Sequence, residues 1–411
     1  MRRRPSRKIQ PPAFGAGIVA GASDNDPTTV ATLAVIGSTT IYGLAWLALL
    51  IVPMLAIVQA VAADIGAVSR RGLEECVRVR YGTFWATLAL AAILAVNVLT
   101  LAADLEGGGA ALQLLTHADY RWFVVPLGGA TLALLVLGNY RGIERVLRYT
   151  ALLFLTYVAA AFLAKPDWTA VLRDSFVPHL SFAPDYVAGA LALLGTTLTA
   201  YAYVWETIEE AEERPRLSGL RAVQLDAVLG IAIAGLTFWF ILVATGATLG
   251  IHHHRVETAE DAARALVPVA GRFAGVVFAI GLLGSALVAI PVIAGTSAYV
   301  VAELFHWRAS LDDRFRRDKA FYATLGAVVG VAALLGVAGV PPIALLFLSS
   351  IAGGVATPLT LVLMLLIGRD RKIMGTRTIS LPLAAGGWAV TAIVSGATLI
   401  YLWQSIRGSG N

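Results

Sequence analysis

The sequence predicts an all-α integral membrane protein. Eleven transmembrane helices are expected, ten of them as two inverted five-helix repeats, with the first and sixth helices discontinuous. Three observations carry this reading: the composition, the spacing of the apolar runs, and polar interruptions at matching places in the two halves. Of 411 residues, 58% are hydrophobic and 14% charged, and the mean hydropathy is +0.77. A soluble protein is about one-quarter charged, so a soluble enzyme, a nucleic-acid binder and a disordered chain are all excluded. The single cysteine, Cys76, allows no internal disulfide and no cysteine-based metal site.

A membrane helix needs about 20 mostly apolar residues. Such runs fall at 13–36, 40–65, 83–113, 120–138, 147–164, 187–209, 223–250, 270–303, 321–339, 342–367 and 381–404. The longest gap, Lys165–Tyr186, contains Pro166, Pro178 and Pro184 and leaves no room for a soluble domain. The basic stretch Met1–Gln10 is followed by no short apolar segment with a cleavage site, so no cleavable signal peptide is expected. With the N-terminus placed in the cytoplasm, 24 of the 31 Lys and Arg fall on the inner side and seven on the outer. This positive-inside bias predicts a multi-pass protein of the inner (plasma) membrane, N-terminus cytoplasmic and C-terminus outside. The expected organisation is a basic N-terminus over 1–12, a first repeat over 13–165 and a second over 166–368. Residues 369–411 then supply an inner loop, the eleventh helix and a short outer tail.

The first span carries Ser23-Asp24-Asn25-Asp26-Pro27-Thr28-Thr29 within apolar flanks. Pro27 lacks an N–H and disfavours helix at the residue before it, so the helix is predicted to unwind there. Polar residues inside a span are expensive and mark a pathway. No basic residue in any predicted span centre is available to neutralise Asp26. The third span carries Asn97, Asp104, Glu106 and Gln113. Asp104 is read as a lining or relay carboxylate, and Glu106 as a solvated helix end. The sixth span repeats the polar interruption, with Thr196, Thr197, Thr199 and Glu206 in an apolar run but no central proline. Thr196 and Thr199 read equally as cation ligands and as interhelical packing contacts. Interrupted helices at matching positions of two halves point to an inverted-repeat secondary transporter.

Beyond these, Glu206 and Glu210 share one helix face near the inner exit, while Glu212 and Glu213 read as a solvated end. His252-His253-His254 reads as an exposed outer loop. Thr258–Leu266 opens like an N-capped surface helix with Glu260 and Asp261 in its first turn. There is no Walker loop, zinc-protease motif or nucleophile triad, so no catalytic residues and no cofactor are expected. Carboxylate, hydroxyl and carbonyl oxygens form a hard-ligand site suited to Mg²⁺, Ca²⁺ or Mn²⁺ as substrate. The expected partners are the metal ion and the lipid bilayer, with no nucleic acid and no obligatory protein partner.

On these residues the sequence resembles the Nramp (natural resistance-associated macrophage protein) family of divalent-metal transporters along nearly its whole length. Asp26-Pro27-Thr28-Thr29 stands against the family's Asp-Pro-Gly-Asn, and Gly195-Thr196-Thr197 opens the sixth helix as in the family. The resemblance implies a leucine-transporter-type fold and makes Asp26 the metal-binding aspartate. Thr29 stands at the family's asparagine, and Thr199-Ala200-Tyr201 replaces its Met-Pro-His. Tyr201 and Glu206 replace histidines linked to proton coupling, and Ser350 stands where a glutamine often lies near the metal. The chain is most similar to the Nramp-related branch that lacks the methionine. Asp24-Asn25-Asp26-Pro27, Leu194-Gly195-Thr196-Thr197 and Ala289-Ile290-Pro291-Val292-Ile293-Ala294-Gly295 carry that similarity, which implies Mg²⁺ and Mn²⁺ transport without strict proton coupling. The expected metal set is Asp26, Thr29, Ser23, Thr196, Thr199 and Asp24. The pathway or coupling set is Asp104, Glu206, Tyr201 and Ser350. A transition-metal/proton symporter of the same family is the alternative. A carrier of organic amines or amino acids on the same fold is another, with Tyr201, Tyr203 and Trp205 as a cation–π wall. A non-transporting sensor is a third reading, weakened by the lack of any signalling domain.

Overall fold

The computed structural model describes residues 26–137, 156–213, 220–307 and 318–408, and these are helical throughout apart from short connections. Among the described residues, eight helical segments are long and apolar enough to cross a membrane: Ala45–Ser69, Thr83–Thr116, Pro184–Ile208, Ile231–His252, Val267–Phe305, Lys319–Gly336, Pro342–Arg369 and Leu381–Arg407. They coincide with predicted spans two, three and six to eleven. Arg121–Val136 is a shorter apolar helix at predicted span four. The second half of span one is described as α1, Pro27–Thr40, and part of span five as a helix over 156–163. Residues 1–25, including Ser23 and Asp24, and the basic segments 138–155, 214–219 and 308–317 lie outside the described residues.

In chain order, α1 is followed by α2 (Ala45–Ser69), α3 (Leu73–Tyr81), α4 (Thr83–Thr116) and α5 (Arg121–Leu137). Then come α6 (156–163), α7 (Trp168–Phe176), α8 (Pro184–Thr197), α9 (Ala200–Glu213) and α10 (Leu220–Thr248). The chain continues through α11 (Ala259–Arg264), α12 (Val267–Ala270), α13 (Ala274–Phe305), α14 (Lys319–Gly336), α15 (Pro342–Arg369), α16 (Arg371–Met374) and α17 (Leu381–Gly408). The long helices are apolar on nearly every face because they meet neighbours on one side and lipid on the other. Phe84, Trp122, Leu334 and Leu399 are among the large side chains left exposed on the outside of the bundle.

The sixth span is broken, as the repeat reading requires. α8 ends at Thr197 and α9 begins at Ala200, with Leu198 and Thr199 between them. No proline causes this break. Thr197 Oγ1 bonds back to the Leu193 carbonyl at 2.7 Å, a side-chain bond that competes with regular helix. The Leu198 carbonyl accepts from Thr357 Oγ1 of α15 at 3.1 Å. The break is thus satisfied by a neighbouring helix rather than by water. Beside it, α8 and α15 cross backbone to backbone. A Cβ on Gly195 would fall 2.0 Å from the Ser350 carbonyl oxygen and 2.2 Å from Gly354 N, and one on Gly353 would fall 2.9 Å from the Gly195 carbonyl oxygen. Only glycine permits that approach.

One end of the bundle, called here the basic end, carries Arg70, Arg71, Arg78, Arg80, Arg369 and Arg371. There the amphipathic α3 joins α2 to α4. Its N-cap is Gly72, which has no side chain to cap with. Two other helices supply the missing acceptors. Leu73 N–H donates to Thr207 Oγ1 of α9 at 3.0 Å, and Glu75 N–H donates to Glu303 Oε2 of α13 at 3.3 Å. A Cβ at Gly72 would lie 1.8 Å from Glu303 Oε1. At the other end of α3, Arg78 bonds His306 after α13 and Arg80 bonds Asp370 after α15. At the opposite end of the bundle, Asp261 and Thr258 close a capping box on α11, as the sequence predicts. His254 Nε2 sits 3.0 Å from Asp261 Oδ1, while His252 and His253 are exposed.

Glu74 of α3 is 1% exposed, and neither carboxyl oxygen has a hydrogen-bond partner. Burial, and secondly the Glu303 carboxylate, push its pKa up from the ordinary 4.5 to about 9, against a smaller lowering by Arg78. The fold therefore binds one more proton than the unfolded chain between those two values. Glu74 then contributes a stability loss that grows as pH rises through this window. In detergent, the melting temperature of the wild type should fall from about pH 5 to about pH 9 more steeply than that of Glu74→Gln, with the variant the more stable at the alkaline end.

A hydroxyl-lined carboxylate at a helix start and a helix break

Asp26 is the N-cap of α1. Its Oδ1 accepts from Thr29 N–H at 2.6 Å, and Pro27 occupies the first helical position, where no N–H is needed. The charge lies at the positive end of the α1 dipole, which favours an anion. Tyr201, in the first turn of α9, donates its hydroxyl to Asp26 Oδ2 at 3.1 Å. Asp26 is 1% exposed. Among the described residues no Lys, Arg or His forms an ion pair with it, as the sequence predicts.

Hydroxyls climb from Asp26 away from the basic end. Thr29 Oγ1 meets Thr196 Oγ1 of α8 at 2.9 Å. One turn further, Thr32 Oγ1 meets Ser350 Oγ of α15 at 2.7 Å. Thr29, Thr32, Thr196 and Ser350 are all buried. A second branch leaves sideways: Thr28 Oγ1 donates to Asp104 Oδ1 of α4 at 2.6 Å. Asp104 is fully buried, and its Oδ2 has no partner. Further along α4, Asn97 Nδ2 bonds Ser297 Oγ of α13 at 2.9 Å, and Thr100 Oγ1 is buried without a partner.

The structure thus brings together Asp26, Thr29, Thr196, Tyr201 and Ser350, with Asp104 one hydroxyl away. Thr199 lies in the break itself and is buried, with no direct bond to Asp26. Glu206 is half-buried further down α9 and is not part of the Asp26 cluster. Thr28 and Thr32 were not singled out by the sequence reading. Their signal is the threonine run after Pro27, which places hydroxyls on two faces of α1. Two expectations are corrected. Glu106 is not a solvated helix end: it is 0% exposed, because Gly336 of α14 packs against it. The aromatic wall does not form either. The Tyr203 hydroxyl bonds Thr360 of α15, and Trp205 packs edge-on against Tyr299 of α13.

The donor set around Asp26 is one carboxylate plus hydroxyls, with no sulfur or imidazole. Among the described residues no group of three or more His, Cys, Asp or Glu gathers as a metal cluster. The C-terminal end of α8, at the break, turns the negative end of its dipole toward the same region. Together these favour a cation held through neutral oxygens and one charge.

Comparison with known proteins agrees with this geometry. The family model described as natural resistance-associated macrophage protein-like (Nramp) matches residues 17–404. A protein of Deinococcus radiodurans named divalent metal cation transporter MntH is 28% identical over 418 residues, covering 97% of this chain and 91% of that one. Among solved structures, a manganese transporter of Eremococcus coleocola superposes with a TM-score of 0.71 at 18% identity, covering 95% of this chain and 85% of that chain. MHP1, a nucleobase-cation-symport-1 family transporter, superposes at 0.57 and 13% identity, covering 96% and 91%. The fold is therefore the leucine-transporter type that the sequence resemblance implies.

The Thr29–Thr196 bond should behave as a coupled pair. Thr29→Val or Thr196→Val alone strands the other hydroxyl in an apolar site, at a cost of about 1–3 kcal/mol. The double variant removes both, so its loss of stability should be smaller than the sum, with a coupling of about 0.5–3 kcal/mol. Denaturation of the four proteins in one detergent measures it.

Proposed function

The chain belongs to the Nramp family of membrane transporters, and from that premise we propose that it carries hard divalent cations, Mg²⁺ or Mn²⁺, by alternating access. The observation that carries the reading is Asp26: one buried carboxylate at a helix start, met among the described residues by a backbone amide and a tyrosine hydroxyl. Such oxygens suit a hard ion, and Mg²⁺ in particular keeps much of its water and needs few protein ligands. Asp26 supplies charge. Thr29 and Thr196 supply oxygens once their mutual bond opens, and Thr199 and the carbonyls of the sixth-helix break complete the set; Asp24 and Ser23, which the sequence adds to it, lie outside the described residues. Ser350 closes the path two turns away through Thr32. The basic end faces the cytoplasm of the inner membrane, with the N-terminus inside and the C-terminus outside. The two repeats, 13–165 and 166–368, insert in opposite senses.

A second reading has its own support. The Thr28–Asp104 bond places a second buried carboxylate one hydroxyl from Asp26, an arrangement suited to proton exchange with the metal site. Proton-coupled symport is the alternative that this favours.

Proteoliposomes with trapped metal and pH indicators distinguish the two. Saturable Mg²⁺ or Mn²⁺ entry without acidification, reduced at least a hundredfold in Asp26→Ala, is the expected outcome. Acidification that accompanies metal entry and disappears in Asp104→Asn would establish the symport reading. Robust metal flux in folded Asp26→Ala would overturn both.

A further inference from the structure

We infer that the N-terminus of α3 is the latch of the basic-end gate, with Thr207 of α9 and Glu303 of α13 as its two catches. The inference rests on the transport reading only in calling the movement a gate.

The argument begins with α9, the half-helix that starts at the break. Tyr201 in its first turn bonds Asp26, so any tilt of α9 changes access to Asp26 from the basic end. Six residues on, the Thr207 hydroxyl donates to the Val204 carbonyl at 2.7 Å and accepts from Leu73 N–H. That N–H is one of the first-turn donors of α3, which no residue of the helix can satisfy. Glu303 takes a second of them, Glu75 N–H, from α13. A glycine at position 72 is what admits the Glu303 carboxylate to the helix end. α2 also touches the same spot, since a Cβ on Gly66 would lie 2.4 Å from the Thr207 carbonyl oxygen. One helix end is therefore shared between α9, next to the site, and α13, which packs on α9 through Tyr299 and Trp205. Moving α9 away leaves Leu73 N–H without its acceptor, a cost that holds the closed state. Glu303 keeps α3 on α13 meanwhile, so re-engagement needs only the return of α9. Glu303 holds the helix end from α13 through a carboxyl oxygen, and the Thr207 hydroxyl, carried by α9, is the catch that releases.

The chain carries its own reporter. Cys76, its single cysteine, lies one turn into α3 on the buried face and is 0% exposed. Its thiol donates to Ser69 Oγ at 3.4 Å. Alkylation by membrane-permeant N-ethylmaleimide, followed by mass spectrometry in proteoliposomes, reads how often α3 lifts. Wild type should label slowly without metal and several-fold faster during Mn²⁺ or Mg²⁺ turnover. Thr207→Val should label at least tenfold faster than wild type and independently of metal, and Thr207→Ser should restore the slow, metal-dependent rate. Glu303→Ala should exceed Glu303→Gln, which keeps an acceptor oxygen, so this pair carries the test if Thr207→Val does not fold. Equal rates in Thr207→Val and Thr207→Ser, or rates in both series no faster than wild type, would overturn the latch. Asp26→Ala separates the two proposals: slow Cys76 labelling with lost flux supports both. A wild type without metal flux that still shows the Val–Ser difference overturns the substrate but keeps the latch.

Discussion

The structure depends on one buried charge held without a counter-ion. A carboxylate in a low-dielectric interior is tolerable only if its lone pairs are met. Here Asp26 is met by a backbone N–H at a helix start and by a tyrosine hydroxyl, neither of which carries charge. On the proposed transport reading, the carboxylate is left for a visiting ion to neutralise. A lysine or arginine in the same place would have given a more ordinary buried ion pair and no affinity for a cation. The break in span six serves the same site, because it brings Tyr201 of α9 to the carboxylate and Thr196 of α8 to the neighbouring Thr29.

Much of this was legible in the sequence because it lies on single segments. Hydropathy placed the spans, and Asp26-Pro27 placed the start of α1, since proline acts on its immediate neighbours. The break at Leu198–Thr199 was legible only by analogy with span one: its causes are a threonine bond within the turn and Thr357, 159 positions away. Contacts across the bundle were not legible at all. Nothing local to Thr28 reveals that its hydroxyl reaches Asp104 across 76 positions, and nothing local to Tyr201 reveals that it faces Asp26. Glu106 misled for a related reason. A glutamate near the end of an apolar run ordinarily sits in water, but α4 extends to Thr116, ten residues past it, and keeps it buried.

The two ends of the bundle are built differently. Away from the basic end, span one is joined to spans six and ten by paired hydroxyls, each bond neutral and short in reach. At the basic end, α3 gathers α9, α13 and the segment after α15 through backbone donors, carboxylates and arginines. Hydroxyl pairs can exchange with water or with a hydrated ion at little change in charge. The Arg78–His306 hydrogen bonds and the Arg80–Asp370 ion pair instead tie their partners to a fixed place on α3.

The crossing of α8 and α15 has a further consequence. With no side chain between the two backbones at Gly195, Gly353 and Gly354, the pair has almost no clearance and so acts mechanically like a riveted joint. Thr196 and Ser350 are mounted on either side of that joint, so their spacing is set by main-chain geometry and not by rotamer choice. If the proposed passage runs between them, a change of one side-chain atom at either position alters the chemistry it offers while its gauge stays the same. Selectivity in such a passage drifts by point substitution without any repacking of the helices that frame it.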